Sequence, residues 1–230
     1  ALLATDEVMQ ARAQKMTSRD SNQKIHYEGN AVAWQGANRV EADRLDIDRD
    51  AGKMEGHGKV KSQFADKDKT DKDGDADKAA VKAKPATAPI FTIVTASDMV
   101  YTEETRIVDY TGGTVMKRPD MTITSSKIRA FLKDADSDSS LDKAFADGTV
   151  KIVSISDKLK RTRTGTAEHT EYYTEDGKVL MQGGEPQFVD SVKGQTRGNQ
   201  LTWFSNDDRL IVDGVDKTAP AKSTIIRKKK

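Results

Sequence analysis

The feature that most constrains this chain is a degenerate repeat. Its unit is a turn cluster, a basic residue, an apolar residue, a glycine four or five positions later and, often, a valine after it. Ser21-Asn22-Gln23 leads to Lys24-Ile25, Gly29 and Val32. Asp50-Ala51-Gly52 leads to Lys53-Met54, Gly58 and Val60. Glu104-Thr105 leads to Arg106-Ile107, Gly112 and Val115. Glu175-Asp176-Gly177 leads to Lys178-Val179 and Gly183, and Asn206-Asp207-Asp208 leads to Arg209-Leu210, Gly214 and Val215. A weaker unit holds Leu141, Gly148 and Val150. Asp-Gly and Asn-Asp pairs tolerate positive φ, so each cluster suits a tight reversal between strands. The residues between clusters alternate: Ile25 and Tyr27, Val32 and Trp34, Leu45 and Ile47, Phe91 and Ile93, Val150 and Ile152, Val179 and Met181, Leu201 and Trp203, Leu210 and Val212. Period two puts one face in the core and the other in water. The mid-strand glycine is expected to mark a bulge that shifts this phase by one residue. No three-turn amphipathic helix is present. The best helical stretch, Glu7 to Met16, also fits the strand pattern.

Composition sharpens the picture. Hydrophobic residues make up 35% and charged residues 33% of 230, and the mean hydropathy is -0.72. That is lean for a compact globule of this length but above wholesale disorder, so it suits a shallow or elongated core. One segment breaks the repeat. From Asp66 to about Pro89 the chain is rich in Asp, Lys and Ala, which reads as a disordered insertion within a single unit spanning residues 1–230. Asp134 to Ser140 is a shorter polar excursion. Without the insertion, about 200 residues at about 8–12 per strand and turn give roughly 16–20 strands. No apolar run reaches the roughly 18–20 residues of a spanning helix. No signal peptide is visible, and a start at Ala1 reads as a mature or trimmed product.

The motifs of catalysis and metal binding do not form. There is no cysteine, which removes disulfides, thiolate metal sites and thiol nucleophiles together. His26, His57 and His169 are far apart and lack metal-ligand spacing, which favours structural roles. No nucleophile elbow, phosphate loop or dinucleotide fingerprint is present. Neither acidic string is an EF-hand: counted from Asp66 the sixth residue is Asp71, and counted from Asp134 the sixth and twelfth are Ser139 and Phe145. Asp46 and Asp48 flank Ile47 on the wet face of a strand. The net charge of +1 and the single basic cluster, Arg227-Lys228-Lys229-Lys230, exclude a nucleic-acid face. The chain therefore reads as a binding protein without a cofactor, not an enzyme.

The order of these elements resembles one family. Tyr27-Glu28-Gly29-Asn30-Ala31-Val32, Trp34-Gln35-Gly36 and Val40-Glu41-Ala42-Asp43-Arg44-Leu45 are similar to the strand pattern of the LptA/OstA family: aromatic-x-Gly-Asp/Asn-Val, a Gln-Gly turn, then apolar-x-Ala-Asp. Lys178 to Pro186, Lys193-Gly194, Arg197 to Trp203 and Leu210 to Gly214 resemble its last strands. The resemblance covers most of residues 8–63 and 91–230; the charged segment after Phe64 departs from it. It implies a twisted, V-shaped antiparallel β-jelly-roll of roughly 16 strands, open along one side. It also implies a periplasmic protein that shields the lipid A acyl chains of lipopolysaccharide during transport from the inner to the outer membrane. Partners would be lipopolysaccharide itself and LptC-like and LptD-like proteins of the same fold, joined by edge-strand pairing, with head-to-tail self-association.

On this reading the groove candidates are Ile25, Tyr27, Val32, Trp34, Val40, Leu45, Ile47, Met54, Ile93, Met99, Ile107, Val115, Ile123, Val150, Ile152, Val179, Met181, Leu201, Trp203 and Leu210. Such a lining would shelter acyl chains that cost about 0.8 kcal/mol per exposed CH₂. The competing reading is a structural β-repeat or adhesin without a lipid. Repeat units of unequal length, from about thirty to over fifty residues, count against a regular solenoid.

Overall fold

The computed structural model describes residues 8–66, 90–133, 140–156, 160–214 and 221–225. Most of the charged segment at 66–89, residues 134–139 of the shorter polar excursion, and the basic tail lie outside them. The described residues form sixteen strands and no helix: β1 (Gln10–Arg12), β2 (Lys15–Arg19), β3 (Lys24–Gln35), β4 (Asn38–Asp48), β5 (Lys53–Asp66), β6 (Ile90–Thr102), β7 (Ile107–Arg118), β8 (Met121–Leu132), β9 (Leu141–Ser156), β10 (Arg161–Tyr173), β11 (Lys178–Gln182), β12 (Gln187–Asp190), β13 (Gly194–Arg197), β14 (Gln200–Phe204), β15 (Arg209–Asp213) and β16 (Lys222–Ile225). The stretch weighed as a helix is strand, in β1 and β2. Asp66, expected to begin the insertion, ends β5 opposite Ile90.

Consecutive strands pair antiparallel from β3 to β11, and the sheet does not close into a barrel. The turn clusters fall where the repeat places them, after β2, β4, β6, β10 and β14. The middle of every long strand carries the irregularity that organises the sheet. On β3, β5, β7 and β9 two consecutive residues adopt positive φ: Gly29 and Asn30, Gly58 and Lys59, Gly112 and Gly113, Gly148 and Thr149. Each pair bulges against a single residue of the neighbouring strand, Asp43, Ser97, Ser126 or Glu168. Gly183 and Gly184 extend the line beside Glu168. Bulges bend strands and raise their twist. Aligned across nine positions they form a crease that divides the sheet into two walls.

This crease explains the branching at both ends. β3 crosses it, so its outer edge is shared by two short strands: β1 against Val32–Trp34 and β2 against residues 24–28. β10 likewise carries β11 beyond the crease and β12 before it. From there one wall continues through β14 and β15, the other through β13 and β16.

The crease also corrects the expected phase shift. The glycine strands keep their numerical alternation: Ile25, Tyr27, Ala31 and Ala33 are all buried, as are Met54, Val60 and Phe64. The break falls on the neighbours without glycine, where burial runs Val40, Ala42, then Leu45, Ile47, and again Val94, Ala96, then Met99, Tyr101. Two left-handed residues consume the extra length on their own strand, while the facing strand passes from inner to outer face across one residue.

The two glycines of β7 separate the causes of this geometry. A Cβ on Gly112 would lie 2.5 Å from Cβ of Ser97, whereas one on Gly113 meets nothing within 4 Å. Both have positive φ. Gly113→Ala should therefore cost about 1 kcal/mol, from backbone strain alone. Gly112→Ala should cost about 2–4 kcal/mol because overpacking adds to strain. Gly113→Asn, the residue type found at the matching position 30, should be close to neutral. Urea unfolding midpoints of the three variants check this order.

Candidate functional site

The inner faces of the two walls form one apolar surface running from β3 to β15. The structure places Ile25, Tyr27, Val40, Leu45, Ile47, Met54, Met99, Ile123, Val150, Ile152, Val179, Met181, Leu201 and Trp203 in it as buried core, with Leu210 partly buried against it. Five expected groove residues point the other way. Val32 pairs with Glu41 and Trp34 with Arg39, on the outer face, while Ala31 and Ala33 face inward. Val115 pairs with Thr124 while Met116 is buried. These three follow from the assumed phase shift after glycine, which does not occur. Ile93 sits opposite Gln63 and Lys117, with Thr92 and Val94 buried instead. Ile107 faces Phe131 on an outer patch where the Phe131 and Phe145 rings lie 4.8 Å apart. Apolar residues on both faces deprive periodicity of its power to choose there. Holding the phase through Gly112 finds two inner residues that the expectation omitted, Thr114 and Met116; the expectation also omitted Phe64, Tyr101, Tyr110, Ile128 and Phe188.

The walls meet rather than stand apart. Ser62 Oγ on one wall lies 3.7 Å from Met99 Sδ on the other. Arg118 stacks 5.6 Å from the centre of the Tyr172 ring and donates to Thr92. Phe188 and Trp203 rings are 5.5 Å apart. Tyr110 is wholly enclosed, and burial raises its hydroxyl pKa far above the usual range. The inner surface is thus covered by its own side chains.

The outer face is a lattice of cross-strand charge pairs. All three histidines belong to it. His26 Nδ1 lies 2.5 Å from Asp46, His57 Nδ1 2.8 Å from Asp98, and His169 Nδ1 2.6 Å from Asp147. Arg129 forms a two-pronged contact with Asp109 at 2.7 and 3.2 Å. Exposed pairs of this kind contribute about 0–1 kcal/mol each, and they set register more than stability. No group of three or more His, Asp or Glu that could hold a metal occurs among the described residues. One concavity of about 770 Å³ is lined mainly by this outer lattice, including Arg19, Lys24, His26, Asp46, Asp48 and Glu55.

The buried charged residues of the inner face gather at one end. There Arg161 and Arg163 are buried with Asp190. One Asp190 oxygen accepts the backbone amides of Val192 at 2.9 Å and Lys193 at 3.0 Å; the other meets Arg161. Burial disfavours the Asp190 carboxylate, but Arg161 and the two amides outweigh it and lower its pKa to about 2.

An antiparallel β-jelly-roll, open at its edges and apolar along its inner face, is the architecture of lipopolysaccharide-transport proteins. The structure of LptH, the LptA-homologous periplasmic component of the lipopolysaccharide transport device of Pseudomonas aeruginosa, superposes with a TM-score of 0.51 at 8% identity, covering 59% of this chain and 95% of that one. At the level of sequence, the family model described as LptA/(LptD N-terminal domain) LPS transport protein matches residues 7–90 and 93–209. The chain belongs to that family, one of transport proteins rather than enzymes. A sequence search among curated proteins finds no match.

The buried acid gives a pH signature. Its folded pKa of about 2 lies below the ordinary carboxylate value of 3.8, so its contribution is complete above pH 4 and is lost as pH falls through 2. The shift corresponds to about 2 kcal/mol. Denaturant titrations at pH 5 and pH 2 should show wild type losing about 2 kcal/mol more than Asp190→Asn. Equal losses would place the acid sensitivity elsewhere.

Proposed function

We propose that this protein is a periplasmic lipopolysaccharide carrier whose two walls part to hold lipid A acyl chains, passing them along a bridge of proteins of the same fold. The observation that carries this reading is the inner face itself. It is largely apolar from β3 to β9 and continues to strands whose outer edges are unpaired among the described residues. Exchanging side-chain packing for acyl-chain packing keeps apolar area out of water on both sides of the equilibrium. No bond is made or broken. The reading takes residues 1–230 as one unit, in which Asp66 and Ile90, on either side of the charged segment, are register partners.

Photo-crosslinkers test the lining by parity. At Met99 or Met181 they should capture lipopolysaccharide; at the outer neighbours Val100 and Leu180 they should not. Equal capture at both parities would remove the groove assignment.

Partners are proposed at the sheet edges. Large apolar residues stand exposed at both ends: Val8 and Met16 at the first, Ile211 and Ile225 at the last. Unpaired, apolar edges are hazards unless a strand is meant to join them. An LptC-like or LptD-like jelly-roll, or a second copy head to tail, fits such an edge. Ile225→Lys should weaken concentration-dependent association in light scattering without lowering the melting temperature. A strict monomer at high concentration that also binds no partner of the fold would leave a freely diffusing carrier.

A further inference from the structure

The end of the trough where the walls branch carries a charge arrangement that core packing does not require. Arg161 and Arg163 lie on the inner face of β10, each 8% exposed at the side chain. Arginine is almost never so deep unless it is paired. Asp190 meets part of that need: Oδ1 accepts two backbone amides, and Oδ2 lies beside Arg161 and 3.5 Å from Arg163 Nε. The second carboxylate comes from the opposite wall. Asp208, at the tip of the β14–β15 hairpin, reaches across and receives Arg161 Nη1 at 2.6 Å, Lys193 Nζ at 3.1 Å and Arg163 Nη2. Three cations from two elements converge on one carboxylate, which remains 36% exposed at the side chain. With Asp190 included, three positive charges face two negative ones.

Behind this contact is a cavity of about 340 Å³ between the branches, with Phe188, Trp203, Leu210 and Ile225 as its apolar lining and Arg161, Asp190, Lys193 and Asp208 at its charged side. Three buried donors there, Arg161 Nε, Arg163 Nε and Trp203 Nε1, and one acceptor, Asp190 Oδ2, lack a hydrogen-bond partner among the described residues, so unmet donors outnumber unmet acceptors. An unmet buried donor costs about 1–3 kcal/mol, so the site holds more donor capacity than the protein's own acceptors fill.

We propose that this cluster is a seat for the phosphate of a phosphorylated lipid, and that Asp208 is a resident anion which the phosphate displaces. A phosphate presents three or more acceptor oxygens where the carboxylate presents two, and it suits the fork of an arginine. The lipid's apolar part would enter the cavity against Phe188 and Trp203. Leaving the three cations, Asp208 would also release the hairpin tip that clips the walls together. Ligand entry and wall opening thereby become one event. The proposal rests on the reading of the trough as a lipid site and adds the head-group chemistry to it.

The test compares a bisphosphorylated, acylated glucosamine disaccharide with its dephosphorylated counterpart, and with inorganic phosphate alone, on the full chain. Wild type should prefer the phosphorylated lipid by about tenfold, the worth of one charge-assisted hydrogen bond. Lys193→Gln, at a side chain 62% exposed, should erode the preference at unchanged melting temperature. Asp208→Asn should lower the melting temperature and tighten the phosphorylated lipid several-fold, leaving the dephosphorylated lipid unaffected. A fall in melting temperature with no gain in preference would make Asp208 a structural clip and overturn the proposal. A gain for inorganic phosphate alone would overturn its lipid part. Equal binding of both lipids sinks this seat but spares the trough, whereas binding of neither removes both.

Discussion

Every long strand from β3 to β10 bends at the same line, and the bend depends on a backbone conformation that few residues accept. On alternate strands, paired left-handed residues such as Gly58 and Lys59 bulge against a small or acidic residue of the neighbour. The steric fit is tight. A Cβ on Gly58 would fall 2.5 Å from the Asp43 carboxylate. Without this line a sheet of this width would twist as one surface, with a single inner face and nothing to cover it. With it, the sheet supplies both halves of its own core. The two walls, the branching of the ends and the burial of Tyr101 and Tyr110 all follow from the crease.

The same device explains what could be read from the amino-acid sequence. Strand number, hairpin positions and the apolar alternation were legible because turn residues and period two are local. Met54, Val179, Met181 and Leu201 fall on the inner face as their alternation implies. Val32, Trp34 and Val115 do not, because the consequence of a bulge is shared between two strands and a single chain shows only one of them. The signal lay in the partner strand: Ala42-Asp43-Arg44 and Ala96-Ser97-Asp98 place a small residue before the one where orientation slips. The charged end of the trough was not legible at all. Arg161, Asp190 and Asp208 are separated by up to 47 residues, and nothing local to any of them announces burial.

The inner face bears on the energetics of carrying a lipid. Met99, Tyr101, Val179 and Met181 are essentially without solvent contact, so the protein does not hold an empty channel against water. Opening the walls would expose apolar area that an incoming chain must cover again, and the net affinity is a difference between two packed states. A transfer protein gains from that arrangement, since tight binding would oppose release. Methionine, flexible and polarisable, suits surfaces that must repack, and five of the buried inner residues, Met54, Met99, Met116, Met121 and Met181, are of this type.

The branching has a mechanical side. Because the long strands cross the crease and the terminal ones do not, each end of the molecule finishes as two separate tines, β1 and β2 at one, β15 and β16 at the other. A neighbour attached to a single strand could swing about it as about a pin. One that continues both tines would be held at two points on either side of the crease, and rotation about the long axis would be blocked. A forked end of this kind transmits torque, so a row of such units would keep their troughs aligned along its whole length.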